Sequence, residues 1–201
     1  KLAAALRKTA PPAIVETYEE ERVPFAQRLV HTTDRVFELM SSSTSLADAV
    51  RVSVVPDALT FLSRREAFRR FLFKTVSQIG IEYRDGRASE GRAGRVHGGD
   101  RLPWVRSTDG DGADNFAPLT SLAWQVHVYG APTPALVAAC DELHVALRTF
   151  SWSERAGDAG LAEDAAYLVR PDGYVALASS SQHAPERLRA YAARHGLRFV
   201  R

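Results

Sequence analysis

The sequence predicts an α/β fold: an N-terminal helical segment over residues 1–79, a linker over 80–100, and a mixed-sheet domain over 101–201 that lacks a Cys-x-x-Cys motif. Three observations carry that reading. Up to residue 79, apolar residues recur at spacings of three and four. From Arg84 to Asp100 the chain turns rich in Gly, Arg and Asp and loses any apolar period. Beyond residue 101, short β-branched and aromatic segments alternate with helix-start and turn signals.

The first helix starts at Pro12, which suits a first helical turn, with Glu16, Glu19, Glu20 and Glu21 near its positive end. Pro24 is expected to break or kink it. Beyond that proline, Phe25, Leu29, Thr32, Val36 and Leu39/Met40 form one apolar face that ends at the serine run Ser41 to Ser45. A shorter helix is expected from Leu46 to Val55, stopped by Pro56. Ser63 and Glu66 then have the spacing of a capping box for a helix to about Gln78, with Ala67, Phe68, Phe71, Leu72 and Val76 as its apolar face.

Strands are expected at Leu102 to Arg106, Leu122 to Tyr129 and His144 to Trp152. Thr133 followed by Pro134 caps and opens a helix through Cys140. Ala165 to Arg170, the turn Pro171-Asp172-Gly173 and Tyr174 to Ala178 read as a hairpin, and Pro185 to His195 as a last helix ended by Gly196. This order describes a central mixed sheet with helices on its faces, an order that thioredoxin-like domains share with other α/β sandwiches.

Composition sets limits on function. The 201 residues are 45% hydrophobic and 25% charged, an ordinary globular balance, and the net charge of +2 is too small to point to nucleic acid or an anionic membrane. No apolar run reaches eighteen residues, and Lys1 to Ala10 lack the regions of a signal peptide. The single cysteine, Cys140, excludes an internal disulfide and suits a reducing compartment, so the expectation is cytoplasmic.

The motif search yields no catalytic, cofactor-binding or metal residue to assign. The stretch GRAGRVHGG lacks the strand before and helix after that a phosphate-binding turn needs. Asp109 to Asn115 imitates a calcium loop, but Ala113, Asp114 and Thr120 stand where its fifth, sixth and twelfth ligand-loop positions require other residues. The corner Gly130-Ala131-Pro132-Thr133, where a redox thiol belongs, has none, and Cys140 reads as a small buried filler. The six histidines lack metal-pair spacing, and His127 is expected on the less buried side of a sheet with Gln125 and Tyr129. Arg64, Arg65, Arg69, Arg70 and Lys74 read as the solvated or acid-paired face of an amphipathic helix.

Three stretches resemble the C-terminal part of the class A flavoprotein monooxygenases, the phenol hydroxylase and aromatic polyketide hydroxylase group. They are KLAAALRKTAPPAIVETYEEERVPFAQRLV, with Tyr18, Glu19, Glu21, Arg22 and Pro24 at the family's Tyr-Glu-x-Glu-Arg-x-Pro positions, then GIEYRDGRASEGRAGRVHGGDRLPWV, and YLVRPDGYVAL from Tyr167 to Leu177. The resemblance implies a parent enzyme that uses FAD and NAD(P)H to place one oxygen atom on an aromatic ring, with every flavin motif upstream of Lys1. It implies a terminal thioredoxin-like domain, and a partner that is either the parent's flavin-binding portion or another copy of the chain. A stand-alone, redox-inactive interaction module is the alternative.

Overall fold

The computed structural model describes residues 1–41, 52, 54–77, 80–106 and 114–199. The remainder of the serine run, most of the helix expected over 46–55, and Asp109 to Ala113 lie outside them, as do the side chains of Val36, Leu39, Met40 and Val76 on the expected apolar faces. The chain divides into two compact units, residues 1–21 with 82–201, and residues 22–81.

The first unit is built on a six-stranded sheet of β1 (Glu90–Ala93), β2 (Val96–His97), β3 (Gln125–Tyr129), β4 (Ala146–Phe150), β5 (Ala166–Val169) and β6 (Val175–Ser179), in the order β2-β1-β6-β5-β3-β4. Its helices are α1 (Leu2–Leu6), the first turn of α2 (Thr17–Ser41), α5 (Pro134–Glu142), α6 (Glu154–Asp158) and α7 (Ala184–Arg194). Strands β3 and β4 run parallel across α5, β5 is antiparallel to β3 and β6, and α7 follows. A parallel strand-helix-strand followed by a hairpin and a helix is the thioredoxin-like, mixed-sheet order predicted above.

Local chemistry sets these boundaries. Thr133 caps α5 by accepting the Leu136 amide at 3.2 Å, and Gly196, at φ +56°, takes the left-handed conformation that ends α7. The Gly-rich stretch expected as a linker instead carries β1 and β2. Their outward pattern is too short for a periodic signal, yet Ala93 and Val96 are buried, and β1 joins the sheet parallel to β6. Among the described residues Leu102 to Arg106 forms no ladder. Pro103 has no N–H to give a sheet, and isolated bridges, Arg101 to Tyr174 and Arg106 to Asp114, flank the segment.

Both faces of the sheet are buried. On one, Val126, Val128 and Leu168 pack against Leu136 and Cys140 of α5 and Leu188 and Tyr191 of α7, with Ile14 from the 3-10 turn Pro12–Val15. On the other, Tyr129, Tyr167, Val169 and Val175 pack under Leu102, Val105, Ala156 and Leu161.

The second unit holds the rest of α2, α3 (Val55–Ser63) and α4 (Glu66–Val76). Helix α2 runs on through Pro24 rather than breaking there, because a proline removes only one N–H bond. Pro56 stands in the first turn of α3, where its missing N–H is one that has no intrahelical partner, and the helix expected to end at it lies mostly outside the described residues. Ser63 does not cap α4. It is still inside α3, where its hydroxyl donates to the Thr60 carbonyl at 2.8 Å, and the extended residue before α4 is Arg65. Glu66 accepts from Arg70 at 2.6 Å instead of closing a capping box.

The second buried face corrects the expectation for His127, which is fully enclosed together with Gln125 and Tyr129. Residues 102–106 and 114–121 cover that side and bond several of its polar groups. Gln125 Nε2 donates to the Pro118 carbonyl at 2.6 Å and to Ser121 Oγ at 2.9 Å, which leaves Gln125 Oε1 to accept from His127 Nε2 at 3.2 Å and assigns the ring proton to that nitrogen. Asn115 Nδ2 donates to the Tyr129 hydroxyl at 2.6 Å and to the Pro103 carbonyl at 2.8 Å. Burial, with a smaller contribution from the Arg148 charge, pushes the His127 pKa down from 6.5 to about 3.

The folded protein therefore holds His127 neutral over a range in which the unfolded chain takes up a proton. Stability attributable to this residue is complete above pH 6.5 and is lost as pH falls from 6.5 toward about 3. Urea unfolding at pH 6.5 and pH 5 is expected to show wild type losing about 1–2 kcal/mol more over that interval than His127→Gln, which cannot titrate. Equal losses in the two proteins contradict this account.

Candidate functional site

The three stretches that carry the family resemblance converge on the turn end of the β5–β6 hairpin. Arg170 closes β5, and the turn is pinned by Arg170 N–H to the Tyr174 carbonyl at 2.8 Å and Gly173 N–H to the Arg170 carbonyl at 2.9 Å. Asp172, inside the turn, accepts from the Arg170 guanidinium at 3.1 and 2.6 Å. On its other side Arg170 donates from Nη1 to Glu21 Oε1 at 2.7 Å and from Nη2 to Glu21 Oε2 at 3.2 Å. Glu21 lies in the first turns of α2, 149 residues away in sequence, and both partners are 5% exposed or less. Lys1 Nζ stands 2.7 Å from the same Glu21 oxygen.

This two-toothed geometry explains how charges survive inside the protein. Burial opposes the Arg170 charge, but the Glu21 hydrogen bond and the charges of Asp172 and Glu21 outweigh it and raise the guanidinium pKa above its ordinary value. Burial lowers the Lys1 pKa, partly offset by Glu21.

The middle stretch closes the site from a third direction. The rings of Tyr83 and Tyr174 lie 4.6 Å apart, and the Arg170 guanidinium stands 5.8 Å from the Tyr174 ring centre. Arg84 pairs with Asp100 at 2.6 and 3.1 Å, while Arg87 reaches Glu20 at 2.7 Å on the exposed side of α2. Of the motif positions at the start of α2, Glu21 is the buried one, whereas Tyr18, Glu19, Arg22 and Pro24 are exposed. Nothing in the spacing of the sequence marks Arg170 as the partner of Glu21. A buried acid on a motif helix and an arginine before a tight turn were the only signals.

The other positions singled out in the sequence do not join this cluster. At the Gly130 to Thr133 corner, Asp164 accepts the Ala131 N–H at 2.6 Å, and Gly130 has φ +124°, where an added Cβ would overlap that carboxylate. Cys140 is buried in α5 among core residues. Among the described residues no group of three or more His, Cys, Asp and Glu is arranged to hold a metal ion, and no helix is long and apolar enough to cross a membrane. The arrangement is that of a structural clamp. It has two carboxylates, Glu21 and Asp172, on one guanidinium, with the Lys1 amine beside Glu21.

Residues 96–195 match the family profile described as the C-terminal region of aromatic-ring hydroxylases. They form an aromatic-ring hydroxylase C-terminal domain. Solved structures extend the likeness of this aromatic-ring hydroxylase segment. BexE, studied for oxidation during BE-7585A biosynthesis, is 26% identical with a TM-score of 0.70, over 100% of this chain and 39% of its own. CabE, an aromatic hydroxylase from angucycline biosynthesis, is 28% identical with a TM-score of 0.66, over 89% and 35%. The anhydrotetracycline hydroxylase OxyS from Streptomyces rimosus shares the fold at 23% identity, with a TM-score of 0.66 over 95% and 37%. The chain thus spans less than two fifths of the length of each of these proteins. No curated protein matches it.

Removing one partner of a buried, hydrogen-bonded pair leaves the other charged and unsolvated. Replacing Arg170 with Met, which strands Glu21, is expected to cost roughly 3–5 kcal/mol of unfolding free energy. Guanidinium unfolding monitored by tryptophan fluorescence measures it, and a loss below about 1 kcal/mol contradicts the clamp.

Proposed function

We propose that this chain is the C-terminal part of an FAD- and NAD(P)H-dependent aromatic hydroxylase, supplying scaffold and contact surface while the chemistry is done by protein upstream of it. The carrying observation is the match of residues 96–195 to the hydroxylase C-terminal family, supported by a fold likeness to BexE that takes in the whole chain. On this reading residues 22–81 complete the flavoprotein core, and the sheet unit of residues 1–21 and 82–201 is the last domain.

The residues present do not fit a flavin. A dinucleotide needs a glycine turn that passes from a strand into a helix whose first amides face the pyrophosphate. The glycine-rich stretch here passes from β1 into β2 and pairs as a sheet edge, so its amides are spent on strand bonds. No step of hydroxylation is therefore assigned to any residue of this chain. When bound upstream, FAD would supply the oxygen-transfer chemistry.

The partner follows from apolar surface. Leu29, Val30 and Phe37 on α2, Leu59 and Phe61 on α3, and Phe71 on α4 are exposed, on helices whose periodicity prepares an apolar face. We assign that face to the flavin-binding portion of the parent enzyme, in a cytoplasmic setting without nucleic acid or membrane.

The test compares the natural full-length polypeptide with residues 1–201 alone. The full-length protein is expected to be larger by intact mass, to carry the yellow absorbance of bound flavin, and to oxidise reduced nicotinamide with an aromatic substrate. Residues 1–201 are expected to do none of these. Flavin retained by residues 1–201, or a natural polypeptide without a flavin-binding portion, overturns the proposal.

A further inference from the structure

We infer that the outer edge of β4 pairs with the same edge of a second copy, antiparallel across a two-fold axis at Thr149, so that two sheets join into one. Strand β4 ends the order β2-β1-β6-β5-β3-β4, with β3 as its neighbour. Gly130 N–H donates to the Phe150 carbonyl at 2.8 Å, which sets the alternation of that parallel ladder. Ala146, Arg148 and Phe150 turn their main-chain groups to β3, and Leu147 and Thr149 turn theirs away. Among the described residues nothing bonds the outward groups of these two. Arg148 and Thr149 are exposed, so the edge is open to a partner.

Natural sheets blunt an open edge with a very short strand, a proline, a bulge or a charge, lysine above all. The opposite edge follows that rule, since β2 is two residues long and follows a tight turn at Gly94. Strand β4 has five residues in unbroken register with β3 and contains no proline, glycine or lysine. Its one charge, Arg148, chooses the partner. With Thr149 facing its counterpart as a hydrogen-bonded pair, Arg148 of each copy stands directly opposite Phe150 of the other, a cation against a ring on both sides of the axis. Moving the axis to Arg148 sets arginine on arginine, which is disfavoured. The edge is therefore complementary to itself in one register, and the partner surface is the one this chain displays.

The experiment uses the natural full-length polypeptide. Sedimentation velocity over a concentration series is expected to show monomer in exchange with dimer. Thr149→Lys sets two ammonium groups on the axis, and Thr149→Pro removes an N–H that β3 does not use. Each is expected to raise the dimer Kd roughly tenfold or more with circular dichroism unchanged, and the lysine variant makes no demand on the backbone should the proline variant fail to fold. In Thr149→Cys, oxidation is expected to link two copies, because Cα atoms of a hydrogen-bonded antiparallel pair lie about 5.5 Å apart, within the span of a disulfide. Peptide mapping by mass spectrometry is expected to find position 149 at both ends of the link. A monomer at every concentration, a dimer that Thr149→Lys leaves unchanged, or a link from position 149 only to other positions overturns the inference. A strict monomer that keeps its flavin and activity leaves the proposed function standing.

Discussion

The buried pair between Glu21 and Arg170 is the constraint on which the first unit depends. It joins the start of a long helix to the turn of the hairpin that ends the sheet, across nearly the whole sequence. A buried ion pair is not in itself strongly stabilising, because the cost of taking two charges out of water offsets much of their attraction. What it supplies is selectivity of placement. Any placement of residues 17–21 that leaves either group unmatched strands a charge in an apolar setting. Asp172 and Lys1 complete the set, and Tyr83 against Tyr174 shields it from solvent.

Around this clamp, the sheet is packed on both faces. Helices α5 and α7 cover one face, and Leu102, Val105, Phe116 and Leu119 with α6 cover the other. The corner where thioredoxin-like proteins place reactive thiols is closed by the Asp164 carboxylate over Gly130 and Ala131. Inside, Gln125 bonds His127 and the Pro118 carbonyl, and Asn115 bonds Tyr129.

Legibility in the sequence followed the locality of the physics. The hairpin at Pro171-Asp172-Gly173, the Thr133 cap and the Gly196 terminator each rest on a few adjacent residues, and each forms where the sequence puts it. Pro24 does not end α2, because a long helix tolerates the loss of one N–H bond, and Ser63 does not cap α4, because it is still within α3. Strands β1 and β2 were hidden by their glycines, and His127 by a loop whose covering role has no local signature. At the candidate site, the motif stretches were visible one by one. That Glu21 meets Arg170 was not, since a tertiary pairing over such a separation leaves no mark in the periodicity of either segment.

The central claim is an energetic coupling between those two residues, and a double-mutant cycle measures it directly. Glu21→Gln, Arg170→Met and their combination, unfolded under identical conditions, are expected to give a coupling of about 2 kcal/mol or more, with the double variant more stable than additivity allows. Losses that add within about 0.5 kcal/mol would show that the two groups act independently and that the clamp does not exist.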